Sequence, residues 1–312
     1  MSYPAIQFEW LFYLEVNMKK ISGYALIRRH LRRYPRSLRQ TLLKELNQLV
    51  TYRPVIGIMG KTGVGKSSLC NALFRSQVCD VSAVEACTRQ PQQVKLRFGQ
   101  HTLTLVDLPG VGESQQRDEE YRELYREWIP KLDMVLWVLK ADDRAFSIEE
   151  QFYQTVFTEY HGERPAITWI LNQVDKIEPV EQWQWASAQP SKQQQAHITL
   201  KRHTIAKQMH ISADTIIPIS VKGRYHLPQL VEAMITRLPK QARSPFVPHL
   251  QNAYQTTTVI NHARRSFGET VVDIIEHVID FAPLPQVARH ALKSTTHHIA
   301  QAARAVWSFF FR

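Results

Sequence analysis

Gly60-Lys61-Thr62-Gly63-Val64-Gly65-Lys66-Ser67 is the stretch of this sequence that decides its fold. It stands between an apolar run, Pro54–Met59, and a helix-like stretch, Ser68–Phe74, where a phosphate-binding loop joins a strand to a helix. The glycines allow the backbone to curl so that successive N–H groups face inward, and the following helix adds its positive dipole end. The pattern therefore predicts a site for a polyphosphate.

Two side chains of this loop have defined expected roles. Lys66 is expected to reach the β- and γ-phosphates, and the Ser67 hydroxyl to ligate Mg²⁺, as in nucleoside triphosphatases. A glycine-rich linker is the alternative interpretation, and the strand-loop-helix context argues against it. The loop residues expected to contact the nucleotide are Gly60, Lys61, Thr62, Gly63, Val64, Gly65, Lys66, Ser67 and Ser68.

The composition limits the class of protein. A chain of 312 residues with 44% hydrophobic content can bury one sizeable core and additional helices. The three cysteines form no CxxC pair, and their odd number argues against a disulfide framework. No apolar run approaches the roughly 20 residues of a membrane-spanning helix, and the N-terminus has the wrong charge order for a secretion signal. We therefore expect a cytoplasmic protein, with peripheral contact to a membrane left open.

The central part of the chain alternates strand-like and helix-like runs, which indicates an α/β wound sheet. The predicted strands are Val55–Met59, Gln93–Phe98, Thr102–Asp107, Met134–Leu139, Ile167–Asn172 and Thr215–Ile219. The predicted helices are Ser67–Phe74, Asp118–Trp128, Ile148–Tyr160, His197–Met209 and Gln229–Arg237. Only the link between the second and third strands is too short for a crossover helix, so this pair is predicted to be antiparallel in an otherwise parallel six-stranded sheet.

Both flanks of this region are predicted to be helical. In the first flank, leucines recur near helical spacing from Leu26 to Leu49, and Pro35 divides two helices. In the last flank, one amphipathic helix runs through Val271 and Ile279, and a second is predicted from Val287 to Phe311.

The basic charge is concentrated in the flanks. Residues 1–53 contain ten Lys or Arg and three Asp or Glu, residues 54–240 contain 22 and 21, and residues 241–312 contain seven and four. In a wound sheet the chain enters and leaves on the side opposite the ligand. We therefore predict a basic helical segment at 1–53, a nucleotide-binding domain at 54–240, and a helical segment at 241–312 that packs against the first.

A second motif, Asp107-Leu108-Pro109-Gly110, follows the third predicted strand. Asp107 is expected to hold Mg²⁺ through water, and the Gly110 N–H to donate to the γ-phosphate. A plain strand-to-loop turn is the alternative. The position of the motif after the third strand favours the functional interpretation.

Two further motifs select the base. Asn172-Gln173-Val174-Asp175 follows a strong apolar strand, and the Asp175 carboxylate can accept from both N1–H and the 2-amino group of guanine, which adenine cannot match. Asn172 is expected to bridge the base N7 and the phosphate loop. Ser220-Val221-Lys222 follows the last strand, where backbone N–H groups can donate to guanine O6 and the Lys222 stem can lie against the base.

With these residues placed, residues 54–240 resemble the GTP-binding domain (G domain) of the Era-like GTPases of the translation-factor-related (TRAFAC) class. Within that class the chain looks most like the bacterial YfjP/YkfA/YeeP group, described as resembling ribosome-binding GTPases. The resemblance implies GTP/GDP and Mg²⁺ as ligands, and a switch threonine that ligands the metal, which Thr88 matches. It implies metal ligation by Ser67, Thr88 and Asp107, and catalytic parts for Lys66, Thr88 and Gly110.

Two positions depart from the family pattern. Gln173 stands where the guanine motif usually carries lysine, which is expected to weaken packing on the base. Val111 stands where Ras-like GTPases carry a glutamine that orients the attacking water. Glu113 and Arg89 are candidates for that role only because they are close to these motifs. We therefore expect slow intrinsic hydrolysis, accelerated by a partner or by dimerisation through the G domains. The alternative is a scaffold module that holds GTP and turns over little.

The basic first flank leaves three interpretations open: a solvated helix face, binding to ribosomal RNA, and binding to an anionic membrane surface. Its nine basic residues between Glu15 and Glu45 are interrupted by no acidic residue. Aromatic stretches at Trp10–Tyr13 and Trp307–Phe311 support the membrane, unless they pack inside the helical segments.

Overall fold

The computed structural model describes residues 23–75, 92–108, 115–158 and 164–312. Its centre is a six-stranded sheet in the order β2-β3-β1-β4-β5-β6, in which β2 runs antiparallel to β3 and every other pair is parallel. The predicted sheet and its antiparallel strand are thus confirmed. The strands are β1 Val55–Met59, β2 Gln92–Phe98, β3 His101–Asp107, β4 Met134–Lys140, β5 Ala166–Asn172 and β6 Ile216–Pro218.

Helices connect and flank the strands. Residues 23–30 are helical (α1). The others described are α2 Arg36–Val50, α3 Lys66–Leu73, α4 Gln115–Trp128, α5 Ser147–Tyr153, α6 Lys192–Met209, α7 Leu227–Arg237, α8 Lys240–Phe246, α9 Thr257–Phe281, α10 Gln286–Lys293 and α11 Thr296–Phe311.

Several of these helices differ from the sequence prediction. Helix α4 begins three residues before Asp118, and α5 ends at Tyr153 and is followed by a π-helical turn, Gln154–Thr158. Helix α6 begins five residues before His197, because Ser191 and Gln194 form a reciprocal capping box at its N-terminus. The single helix predicted from Val287 to Phe311 is wrong, because the chain breaks between α10 and α11. Thr295 lies at this break, where its hydroxyl is 3.1 Å from the Tyr34 hydroxyl of the distant first flank.

Each face of the sheet has its own apolar core. One core, which includes Val135 and Trp137 of β4, is covered by helices α4 to α6. The other core includes Ile56 and Met134, and it is covered by α3, α7 and the helices of both flanks. Both sides of each parallel strand are therefore buried, as continuous apolar strands require.

The two flanks pack against each other and share the second core. Leu42 and Leu46 of α2 are buried in the same cluster as Ile275 of α9. Residues of the G domain, such as Ile56, belong to this cluster too. The segment boundaries at 53/54 and 240/241 stay predictions, since one core runs through all three segments.

The aromatic tail of the chain is internal. Trp307 is fully buried and its Nε1 donates to Ser244 Oγ at 2.9 Å. The His101 ring stacks on Phe311 with ring centroids 5.2 Å apart, and its Nε2 lies 2.7 Å from the Phe310 carbonyl oxygen. Helix α11 thus fixes the second flank to the start of β3. The aromatic stretch Trp10–Tyr13 lies outside the described residues.

Replacing Trp307 with alanine is expected to lower the free energy of unfolding by about 3–5 kcal/mol, because it leaves a large cavity between α11 and α8. Urea denaturation of the full chain measures this loss. Phe281→Ala is the matched control, since that ring is 79% exposed and its removal should change stability by less than about 0.5 kcal/mol. Equal losses in the two variants would contradict the burial of the tail.

Candidate guanine-nucleotide site

The phosphate-binding loop leaves β1 and enters α3 at Lys66. Gly60, Gly63 and Gly65 have φ angles of 139°, 82° and 92°. A Cβ at Gly60 would lie 2.3 Å from the Val138 carbonyl oxygen, and one at Gly65 would lie 2.6 Å from Asn172 Nδ2. These two positions therefore require glycine for space as well as for backbone conformation.

Both lysines of the loop are held by contacts. The Lys66 ammonium donates to the carbonyl oxygens of Gly60 at 2.8 Å and Lys61 at 3.4 Å. Lys61 pairs with Glu149 of α5 at 2.7 Å, and the Glu149 side chain is only 3% exposed. The sequence prediction missed this ion pair, because residue types alone do not place α5 against the loop.

Asp107 lies beside the start of the loop, because the parallel register sets it opposite Ile58 of β1. Its Oδ1 is buried and has no hydrogen-bond partner among the described residues. Burial raises the pKa of the Asp107 carboxyl above its ordinary value, and the positive charge of Lys66 opposes part of that rise. A buried carboxylate oxygen with unused acceptor capacity beside the first turn of α3, which carries Ser67, fits a hydrated Mg²⁺ ion.

The base motif after β5 is hydrogen-bonded to the phosphate loop. Asn172 Nδ2 donates to the Val64 carbonyl oxygen at 2.8 Å, and Gln173 Nε2 donates to the Gly63 carbonyl oxygen at 2.9 Å. Asn172 Oδ1 is buried and has no hydrogen-bond partner among the described residues. The two loops are therefore joined by adjacent side chains of one strand end.

The unusual glutamine of this motif has a cationic neighbour. Lys176 Nζ donates to Gln173 Oε1 at 2.6 Å. Two consecutive hydrogen bonds, here called the relay, therefore connect the Lys176 ammonium through the Gln173 amide to the phosphate loop. Gln173 itself has a φ of 64°, which turns the chain towards the loop. The spacing of three residues between Gln173 and Lys176 was the sequence signal that could have identified this pair.

Asp175 is held in place by the last motif. Its side chain lies in a buried position, and Ser220 Oγ donates to its Oδ1 at 2.5 Å. Ser220 Oγ in turn accepts from the Gly223 N–H at 2.8 Å. One carboxylate oxygen of Asp175 is thus fixed by Ser220, which orients the carboxylate.

Residues 179–191, which precede α6, support the same loop. Trp183 is buried and packs against Tyr225 with ring centroids 5.6 Å apart, so it anchors the segment that carries Ser220, Val221 and Lys222. Trp185 is 52% exposed, and the Lys222 ammonium lies 4.9 Å from its ring centroid.

Several predicted site residues lie outside the described residues. They are Thr88, Arg89, Gly110, Val111 and Glu113. The loop Gly60–Ser68, Asp107 and the two base motifs are described. Hydrogen bonds join Asn172 and Gln173 to the phosphate loop, and a separate hydrogen bond joins Asp175 to Ser220.

This sheet order, loop and motif set define a P-loop GTPase domain. Residues 55–173 match the family model described as "50S ribosome-binding GTPase". The chain is 41% identical to YkfA of Escherichia coli over 94% of its own length and 100% of that protein, and 43% identical to YfjP over 87% and 92%. It therefore belongs to the YkfA/YfjP family of Era-like GTPases, which confirms the resemblance.

Solved structures show a more distant likeness. A crystal structure of an Era variant from Aquifex aeolicus bound to GDP and AlF4⁻ is 19% identical, with a TM-score of 0.43. The match covers 63% of this chain and 65% of that chain.

Within the described ranges, none of the helices has both the length and the apolar character needed to cross a bilayer.

Replacing Lys176 with methionine is expected to weaken GDP binding about threefold to tenfold, because the relay through Gln173 loses its charged donor. Titration with a fluorescent GDP analogue measures the affinity. Lys207→Met, which removes an exposed lysine of α6, is the matched control. An unchanged affinity for Lys176→Met would show that the relay does not support the base motif.

Proposed function

We propose that this protein is a guanine-nucleotide switch that binds GTP and hydrolyses it slowly with Mg²⁺. The observation that carries the proposal is the hydrogen-bonded link between the Asp175 motif and the phosphate loop through Asn172 and Gln173. This link supports one connected site, in which the Asp175 carboxylate selects the base and the loop binds the phosphates. The membership in a GTPase family supports the same conclusion.

The site residues that the structure describes each have a role in this proposal. Asp175 accepts from N1–H and the 2-amino group of guanine, while Ser220 keeps the carboxylate in the required orientation. The loop N–H groups surround the phosphates, and Lys66 moves its ammonium from loop carbonyls to phosphate oxygens. Ser67 and Asp107 would hold Mg²⁺, which neutralises charge on the phosphates when bound.

The outer switch residues complete the proposed site. Thr88 is proposed as the third metal contact and the Gly110 N–H as a donor to the γ-phosphate, both from their position in the motifs. Val111 carries no group that can orient water, so the rate is proposed to depend on another residue or on a partner. Self-association through the G domains is one such source.

Replacing Asp175 with asparagine is expected to shift preference from guanine to xanthine nucleotides, because the amide donates where the carboxylate accepted. The ratio of GDP to XDP dissociation constants measures the shift, and we expect it to change by at least about a hundredfold. Asp214→Asn is the control, because that carboxylate is almost fully exposed on the surface. An unchanged GTP preference would remove Asp175 from the site.

Single-turnover hydrolysis by the isolated protein is expected on the order of 10⁻³ s⁻¹ or slower, the range of GTPases without an activating group. Lys66→Ala should bind no triphosphate and set the baseline. Adding ribosomes in one assay and anionic vesicles in another tests which partner raises the rate. Rapid turnover without either partner would contradict the proposal.

The second candidate is a scaffold that holds GTP with little turnover. A hydrolysis rate that neither ribosomes nor anionic vesicles raise would favour this candidate. The partner is proposed to bind through the basic N-terminal helices, in the cytoplasm or at the membrane surface. Ribosomal RNA and an anionic membrane both suit those charges. The ribosome-binding description belongs to a family model that covers residues 55–173 and leaves the flanks unmatched.

A further inference from the structure

The corner between α1 and α2 is a dense basic surface. Five exposed arginines lie there, and none of them is within salt-bridge distance of a carboxylate in the described ranges. The sequence has no Asp or Glu from residue 16 to residue 44, so the charge is uncompensated along the chain. These arginines are Arg28, Arg29, Arg32, Arg33 and Arg36.

A second stretch without acidic residues meets this corner. Residues 281–312 contain no Asp or Glu. The Tyr34 hydroxyl donates to the Leu292 carbonyl oxygen at 3.2 Å and lies 3.1 Å from Thr295 Oγ1. Because Tyr34 lies between Arg33 and Arg36, these contacts hold the end of α10 beside the basic surface.

Helix α10 and the end of α9, which are joined by residues 282–285, both expose apolar side chains. Phe281 is 79% exposed and Val287 is 82% exposed. Ala291, one turn after Val287, is exposed as well, and α10 contains no buried residue. Phe281 also lines a groove of about 710 Å³ together with Leu38 of α2. Exposed apolar side chains grouped in this way mark an interaction surface.

Three acidic side chains lie near this apolar group. Asp280 pairs with Lys293 of α10 at 2.7 Å and Asp273 pairs with Lys240 at 3.4 Å, while Glu45 lines the groove beside Phe281 without an ion pair among the described residues. The five arginines therefore have one uncompensated carboxylate to outweigh when an anionic partner approaches. We call the five arginines together with Phe281, Val287 and Ala291 the basic-apolar corner. A partner that binds this corner as a whole has to contact both the arginine charges and the exposed apolar side chains.

We propose that the basic-apolar corner binds an anionic lipid surface. The arginines contact headgroup phosphates, while Phe281 and Val287 enter the boundary between headgroups and acyl chains. Nucleic acid would neutralise the arginines and could stack a base on Phe281, but it would leave Val287 and Ala291 in water, since aliphatic side chains offer no face for base stacking. The lipid surface satisfies both halves of the corner.

Lipid binding would locate the proposed nucleotide switch at a membrane surface, and this consequence rests on the proposed function. Lipid binding is measured without nucleotide, so its failure and a failure of GTP binding are separate results. The test is flotation of the full chain with vesicles of phosphatidylcholine alone and of phosphatidylcholine mixed with phosphatidylglycerol. We expect flotation with the anionic vesicles only, decreasing as salt rises.

Two sets of variants test the two halves of the corner. Phe281→Ser with Val287→Ser should weaken binding at least about tenfold, because it removes the inserted apolar area. Replacing Arg32, Arg33 and Arg36 with glutamine should weaken it about fivefold for each charge. Phe281→Trp should retain or strengthen binding, and it keeps the proposal testable if the serine variants fail to fold.

Matched controls change the same chemistry elsewhere. Leu200→Ser removes a leucine of α6 that is 66% exposed, and Lys207→Gln removes a positive charge from the same helix. Both should float as the unchanged protein does. The proposal is overturned if the unchanged protein does not float with anionic vesicles, or if the Phe281 and Val287 variants float equally well. Arginine-dependent binding to RNA without flotation also overturns it.

Discussion

The hydrogen bond from Asn172 Nδ2 to the Val64 carbonyl oxygen is the contact on which the site depends. It joins the end of β5 to the phosphate loop after β1, across the intervening strand β4. Because Asn172 also prevents any side chain at Gly65, the loop conformation and the base motif determine each other. A change in the phosphate loop is therefore expected to displace the base motif, and a change in the base motif to displace the loop.

The parallel sheet makes this contact available. Parallel strands bring their carboxyl ends to one edge, so Asp107, Asn172 and the loop after Met59 emerge on the same side. The opposite edge receives the chain from α2 and returns it to α8. Nucleotide chemistry and flank packing are thus separated by the length of the strands, while the core beneath them is shared.

Much of this arrangement was predictable from sequence, because apolar runs and turn residues are local signals. The strands at Val55–Met59 and Met134–Lys140 agree with the prediction within a residue, and the short link between β2 and β3 indicated the antiparallel pair. The break before Thr296 was not predictable, since no proline or glycine marks it and the Tyr34 contact comes from 261 residues away. The pairing of Lys61 with Glu149 was missed for the same reason, because it depends on how α5 packs.

The continuity of the core beneath one face of the sheet has a mechanical consequence. Leu46 of the first flank, Ile56 of the sheet and Phe310 of the last helix are buried in one apolar cluster. A fragment cut at residues 54 and 240 would expose that face of the sheet to water and would be expected to aggregate. The chain is therefore expected to unfold as one cooperative unit, and the nucleotide-binding half to carry the flank helices with it as a rigid body.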